Sequence, residues 1–232
     1  MAIACPKSVR GVALRVTLLD ECNVPVDTAT VFDSQIATKG FMSLNLSPDI
    51  ENGDTFRTKL ASGELCINDN EDWDKLVGLS VTLMLCDLAP HLNELLTGAA
   101  MLVDGSSNVV GSVLPDSNYG GTGPNSVVLE LWSENSNKTA CSTGTDLPYI
   151  RWILPRVFKW QVSGDRNFAN SPLEWELSGY AESNPNFAAP VSPDPDLSAG
   201  NISAIKAGGP LAWIATDTLP TLVACDYTNP TP

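Results

Sequence analysis

The chain is short of basic residues, of histidine and of unbroken apolar runs. Only 13 of its 232 residues are Lys or Arg, against 27 Asp and Glu, which gives a formal net charge of -14. A surface that neutralises phosphates needs clustered Lys and Arg, so an outward-facing nucleic-acid site does not fit this balance. The single histidine, His91, leaves no second imidazole for a metal site and one candidate base for any Ser-His or Cys-His mechanism. The longest apolar stretches, Leu79 to Leu85 and Leu211 to Ala215, fall far short of the roughly 20 residues a membrane-crossing helix needs. Met1 to Lys7 has no apolar stretch after a basic start and does not read as a secretory signal. The six cysteines (Cys5, Cys22, Cys66, Cys86, Cys141, Cys225) contain no C-x-x-C pair, which does not suit zinc. Without a signal they read as free thiols, buried or half-buried, in a reducing compartment, with disulfides in an extracellular end product as the alternative.

What is present is globular: 43% hydrophobic and 17% charged residues, in a chain long enough to bury a core. Val12, Leu14, Val16 and Leu18 alternate with other residues at period two, which predicts a half-buried strand. It runs into the turn Asp20 to Pro25. Phe41 to Ser47 alternates again, Leu44 and Leu46 on one side and Ser43, Asn45 and Ser47 on the other. Pro48 to Asp54 reads as a loop around Asn52-Gly53, and two short strands over Thr55 to Leu60 and Glu64 to Asn68 complete a meander. Leu79 to Cys86 predicts a buried strand. A helix follows near 88–98, with Asp87 at its cap, Pro90 in its first turn and Gly98 closing it.

Residues 104–125, rich in Gly, Ser, Asn and Pro, read as a mobile loop or a partner-binding arm. Val127 to Glu134 predicts a strand with Val127, Leu129 and Leu131 inward and Glu130 and Glu134 outward. A second polar loop covers 135–147. Tyr149 to Ser163 has strand propensity broken by Pro155, which demands an edge, a bulge or a break. Leu173 to Tyr180 alternates Leu173, Trp175 and Leu177 against Glu174, Glu176 and Ser178. The fold class is therefore mainly β: an antiparallel β-sandwich or barrel of about eight strands with one flanking α-helix and long loops. The chain divides into a β domain over 1–185 and a Pro/Asp/Ser-rich C-terminal arm over 186–232, with a last strand near 211–215.

Candidate chemistry is sparse. Gly120-Gly121-Thr122-Gly123 lacks the preceding strand and following helix or Lys of a phosphate loop and reads as a turn. Asp69, Glu71, Asp72 and Asp74 do not match the spacing of a calcium loop and read as a solvated acidic turn. Glu174 and Glu176 share a strand face about 7 Å apart by strand rise, whereas carboxylates that flank a sugar usually come from different elements. His91 falls on the polar side near the helix start. The six tryptophans (Trp73, Trp132, Trp152, Trp160, Trp175, Trp213) read as core and interface anchors before they read as a sugar site. No catalytic set, cofactor site or metal site emerges, and the expectation is a protein that is not an enzyme.

The order of features resembles a family, the major tail tube proteins of long-tailed, siphovirus-type bacteriophages. The likeness rests on Arg15-Val16-Thr17-Leu18-Leu19-Asp20 leading to Asn23-Val24-Pro25, and on the hairpin Phe41 to Ser47 with Gly53 to Cys66. It continues with Leu79 to Asp87 running into His91 to Gly98, and with the late stretch Trp175 to Pro185. Six cysteines and the tail beyond 190 depart from that pattern. The resemblance implies hexameric rings of self-associating protomers, stacked into a tube between capsid and tail tip. It also implies partners at tape measure, tail tip and terminator, no membrane, and a place in the virion tail after assembly in the host cytoplasm. Viral DNA would pass through the lumen toward ejection without sequence-specific binding. Lumen-facing candidates are Ser43, Asn45, Ser47, Glu174 and Glu176, because a neutral or acidic polar wall within about one Debye length (roughly 8–10 Å) of the duplex lets it slide. The rival readings are a β-sandwich carbohydrate- or receptor-binding module, and another virion part such as a tail terminator or capsid decoration protein.

Overall fold

The computed structural model describes residues 7–26, 34–53, 56–62, 65–69, 74–86, 89–113, 125–136, 147–164, 174–190, 194 and 196–222. In chain order the strands are β1 (Ser8–Leu18), β2 (Gln35–Thr38), β3 (Phe41–Glu51), β4 (Phe56–Lys59), β5 (Leu65–Asp69) and β6 (Lys75–Leu85). Helix α1 (Pro90–Thr97) follows, then β7 (Met101–Val103), β8 (Val109–Ser112), β9 (Val127–Asn135), β10 (Tyr149–Ser163) and β11 (Trp175–Ala181). Helix α2 (Ala199–Lys206) and β12 (Ala212–Thr216) complete the order.

The fold is mainly β and antiparallel. One eight-stranded sheet runs β2-β1-β9-β10-β11-β6-β3, with β12 added beside β10, and β4–β5 and β7–β8 form two separate hairpins. The sheet is open between its ends. It rolls far enough that Phe41 on β3 lies against Gly11 on β1, where a Cβ would meet the Phe41 ring at 2.7 Å. Inside the roll, Leu14, Val16, Leu83, Leu129, Leu154, Leu177 and Trp160 form the main core, and α1 caps it with Leu92, Leu95 and Leu96. Eight residues are too few to hold a helix alone, so this packing carries α1.

Several expectations change on this frame. The strand at Val12–Leu18 begins earlier, and Ala13 to Thr17 are buried on both faces. Residues 48–51 are not a loop: β3 continues through Pro48, because an edge strand has no partner on one side to miss its N–H. The β4–β5 hairpin is an insertion in place of a meander, since β3 pairs directly with β6. The helix starts at Pro90 with Ala89 at its N-cap and no side-chain cap, while Gly98 closes it at φ 70° as expected. The segment 104–125 begins as a hairpin, β7–β8, turned by Asp104, whose Oδ1 accepts from the backbone N–H of Ser106 and Asn108. Pro155 marks a bulge, with register shifting between Leu154 and Val157. A second helix, α2, lies in the C-terminal segment, where the sequence reading placed only a strand.

That C-terminal segment covers the second face of half the sheet. Phe187, Leu197 and Ile205 pack on Leu19, Val128 and Ile153. Strand β12 pairs with the first half of β10, Tyr149 to Ile153, while β11 pairs with the second half from Val157. Among the described cysteines, Cys22 and Cys86 are free and exposed, not buried. Asp87, Trp73, Leu173, Gly120 to Gly123, Cys5, Cys141, Cys225, Glu71 and Asp72 lie outside the described residues, as do the side chains of Cys66 and Asp69.

Candidate interaction face

The other half of the sheet, β3-β6-β11 with the end of β10, leaves its second face in water. Antiparallel partners point to the same side, so the register lays out rows across it. Asn45 stands opposite Thr82, Thr82 opposite Ser178, and Ser178 opposite Gln161. One row along, Ser47, Ser80, Tyr180 and Phe158 align in the same way. On the other side, Ser43, Met84, Glu176 and Ser163 form a third row. Four of the five sequence candidates, Ser43, Asn45, Ser47 and Glu176, therefore share one continuous face. Glu174 is exposed and lies one residue before β11, which begins at Trp175.

Hydroxyls and amides dominate this face, and its few charges are tied. The Ser163 hydroxyl donates to Glu176 Oε1 at 2.9 Å, and the Glu176 stem lies against Gly164, which holds φ 78°. The Tyr180 hydroxyl donates to Asp49 Oδ2 at 2.9 Å, which raises the phenol pKa above its ordinary value. Gly78 is required beneath this contact, because a Cβ there would sit 2.5 Å from the Tyr180 oxygen. At one corner the Arg156 guanidinium pairs with Glu182 and lies over Phe158, and Lys159, at φ 57°, holds its ammonium 5.1 Å from the same ring. The Ser43 hydroxyl is buried without a hydrogen-bond partner.

Beneath the C-terminal segment lies a buried ionic cluster that the sequence reading missed. Glu130, expected to point outward, is fully buried on the second face. Arg15, its cross-strand neighbour, donates from Nε to Glu130 Oε2 at 2.5 Å, and Arg151 donates from Nε to Oε1 at 2.9 Å. Arg151 also grips Asp194 with two bonds of 2.9 and 2.8 Å and reaches Asp196 at 3.4 Å, while the Thr216 hydroxyl donates to Asp196 at 2.8 Å. Trp132 lies under both guanidinium groups, 5.1 and 5.3 Å from its ring. Burial pushes the Glu130 and Asp194 carboxyls up, but the neighbouring guanidinium groups outweigh it and hold both below the usual carboxylate range. A signal existed: Arg15, Glu130 and Arg151, opposite in sign, each stand between apolar residues of a strand. They tie the C-terminal segment to the sheet and expose nothing to a substrate.

The remaining candidates take structural places. His91 is half-buried on α1, Trp132 and Trp160 are core residues, and Trp152 and Trp175 are half-buried. Trp213 is 51% exposed, beside a shallow groove between α2 and β12. Asp74 Oδ1 accepts from the Gly53 N–H at 3.1 Å. Among the described residues no three His, Cys, Asp or Glu side chains gather into a metal-holding group, and no helix is long and apolar enough to cross a membrane.

No family model matches the chain, and no curated relative matches it. Among solved structures, a similar chain comes from an extracellular contractile injection system, the PVC sheath–tube complex in its extended state. It is 11% identical over 72% of this chain and 83% of that one, with a TM-score of 0.22. A superposition at that TM-score ties the two chains neither in fold nor in role.

Proposed function

We propose that this chain is a structural, non-enzymatic subunit of a bacteriophage tail tube of the long-tailed type. Six copies close into a ring, the rings stack, and viral DNA passes through the lumen. The observation that carries the reading is the wet half of the sheet: a face of hydroxyls and amides that ends at β3, an eleven-residue edge strand with one side unpaired. Edges invite pairing with another chain; Pro48 and two bulges interrupt this one, and Ser43 to Ser47 is its regular stretch, with no second partner among the described residues. Pairing edge to edge in a ring turns such sheets into one barrel with no edges left. A wall of Asn45, Ser47, Ser80, Thr82 and Ser178 offers water and short polar groups to a passing duplex, with few cations to hold its phosphates. In this reading the terminator, tape measure and tail tip cap the tube's ends, and the virion tail is its place of work.

Negative-stain electron microscopy of the purified chain, concentrated stepwise, tests this. Hollow tubes, or closed rings with a central pore, are the expected result. A particle that stays monomeric at every concentration overturns it and favours a binding module instead, for which the exposed Trp213 beside its groove is the natural sugar platform.

A further inference from the structure

Three described asparagines are followed by a small residue: Asn52 by Gly53, Asn125 by Ser126 and Asn135 by Ser136. The side-chain amide in such a pair is open to attack by the backbone nitrogen of the next residue, and glycine, with no Cβ, lets that nitrogen come closest. The structure separates the three. Asn125 gives its amide to the Glu94 and Leu95 carbonyls at 3.3 and 3.0 Å. Asn135 is buried, donates to the Leu147 carbonyl at 2.9 Å and accepts from the Lys7 N–H at 3.0 Å. Asn52 is exposed and stands one residue past the end of β3, and among the described residues no hydrogen bond holds its side chain. The attacking nitrogens differ as well. The Ser136 N–H donates to a carbonyl, that of Lys7, which is too weak a base to take its proton. The Gly53 N–H donates to a carboxylate, at 3.1 Å from Asp74 Oδ1. That N–H lies in the peptide plane, whereas the electrons that attack a carbonyl carbon stand perpendicular to it. Asp74 therefore sits on the proton side of the nitrogen, within reach of the proton it must take, and leaves the reactive face open.

We propose that Asn52 is a self-modifying site, at which Gly53 and Asp74 convert the side-chain amide into an acid. The Gly53 nitrogen bonds to Asn52 Cγ as its proton passes to Asp74 Oδ1, and the carbonyl π pair moves onto the Asn52 side-chain oxygen. That pair then returns, the Cγ–Nδ2 bond breaks, and the departing nitrogen takes the proton from Asp74 and leaves as ammonia. Asp74 ends as it began. The chain now holds a succinimide ring, which water opens. Attack at Cγ gives an aspartate, and attack at the Asn52 main-chain carbonyl gives an isoaspartate, with one methylene more in the backbone. In sum, water is consumed and ammonia released. Either product sets a new carboxylate close to Asp74 and Glu51, beside the last rung of the β3–β6 ladder, where Glu51 faces Lys75. Like charges side by side there loosen that end of the ladder. The change happens once per chain and the chain does not reverse it, so it marks the age of the molecule. None of this depends on the chain building a tube.

The full chain, kept for weeks at neutral pH and body temperature in heavy-oxygen water and then cut with trypsin, tests this. The peptide from Gly40 to Arg57 reports the site: a hydroxyl replaces an amino group, heavy oxygen enters, and an isoaspartyl methyltransferase labels the product. Steady conversion at Asn52, with Asn125 and Asn135 unchanged, is the expected result. Gly53→Ala converts several-fold more slowly, because its Cβ crowds the attacking nitrogen. Asp74→Asn keeps an oxygen that accepts the hydrogen bond but cannot take the proton. It too converts several-fold more slowly, and its rate depends more steeply on hydroxide than that of wild type, with Glu51 and Lys75 left in place. Asp74 is exposed and Gly53 stands outside the strands, so both variants keep the wild-type melting temperature. A wild-type peptide that stays unlabelled overturns the site. Conversion of Asn125 or Asn135 at the same rate overturns the selection by structure, and an Asp74→Asn chain as fast as wild type overturns the part given to its carboxylate.

Discussion

Arg151 touches the sheet's buried acid and both aspartates of the C-terminal segment, whereas Arg15 reaches Glu130 and, at 4.0 Å, Asp194 alone. Replacing Arg151 with Met keeps much of the stem's volume but leaves both Glu130 and Asp194 to Arg15, which reaches Asp194 only at 4.0 Å. Breaking a buried pair by removing one partner costs about 3–5 kcal/mol, and urea unfolding followed by Trp fluorescence reads that loss. The same cluster sets an acid limit. Glu130 and Asp194 are held below the usual carboxylate range, so their contribution is complete above the unfolded value of about 4 and drains away as the pH falls through the folded values. Urea midpoints between pH 7 and pH 3 should therefore fall more steeply for wild type than for Glu130→Gln. The sequence displayed these three charges plainly. It did not reveal that they meet, because Glu130 looks like an outward residue until the segment that covers it is placed 60 residues downstream.

At the level of elements, α1 shows what local sequence can and cannot fix. Pro90, the leucines at helical spacing and Gly98 marked the helix to within two residues. Its purpose, closing the roll of the sheet, depends on contacts with strands far away in the chain. Leu96, fully buried in the main core, should cost about 2–5 kcal/mol when cut to Ala. Gly98→Ala should cost about 1 kcal/mol, because φ 70° suits glycine and strains a residue with a Cβ. Chemical denaturation of the two single variants checks both, and a larger effect for Gly98 than for Leu96 would contradict the packing described. The polar alternation of β3 was likewise legible, and Ser43, Asn45 and Ser47 do share a face with Glu176. Glu174 falls one residue outside β11, because alternation continues in sequence beyond the residue at which a strand begins. The bulge at Pro155 was readable as a constraint, but only the register could say which of three outcomes it took.

For the molecule as a whole, net charge and local charge part company. The chain carries -14 in total, yet the wet sheet face is nearly neutral. If that face lines a pore, slipperiness comes from the scarcity of cations and not from an acidic wall. Phage whose tube subunit carries Asn45→Lys with Glu176→Lys should build tails of normal length and eject DNA several-fold more slowly, with added salt restoring the rate. Ejection at the wild-type rate in low salt would remove the face from the lumen. Composition had already announced a chain with a core and alternation a mainly β one, but the order of strands in a sheet is a long-range property that periodicity does not encode. That order has a consequence in time. Strand β1 leaves the ribosome well before one of its two neighbours, β9, with Leu18 opposite Val127. At the usual 5–20 residues per second, β1 waits about 5–20 s for that neighbour to be made. The last-made described partner of β10, β12, follows later still. The nascent protein therefore carries an apolar strand half-matched from the completion of β2 until β9 is made. A cell producing it in quantity would need to shelter that strand, and chaperone demand should fall sharply for a permuted chain in which β1 follows β9.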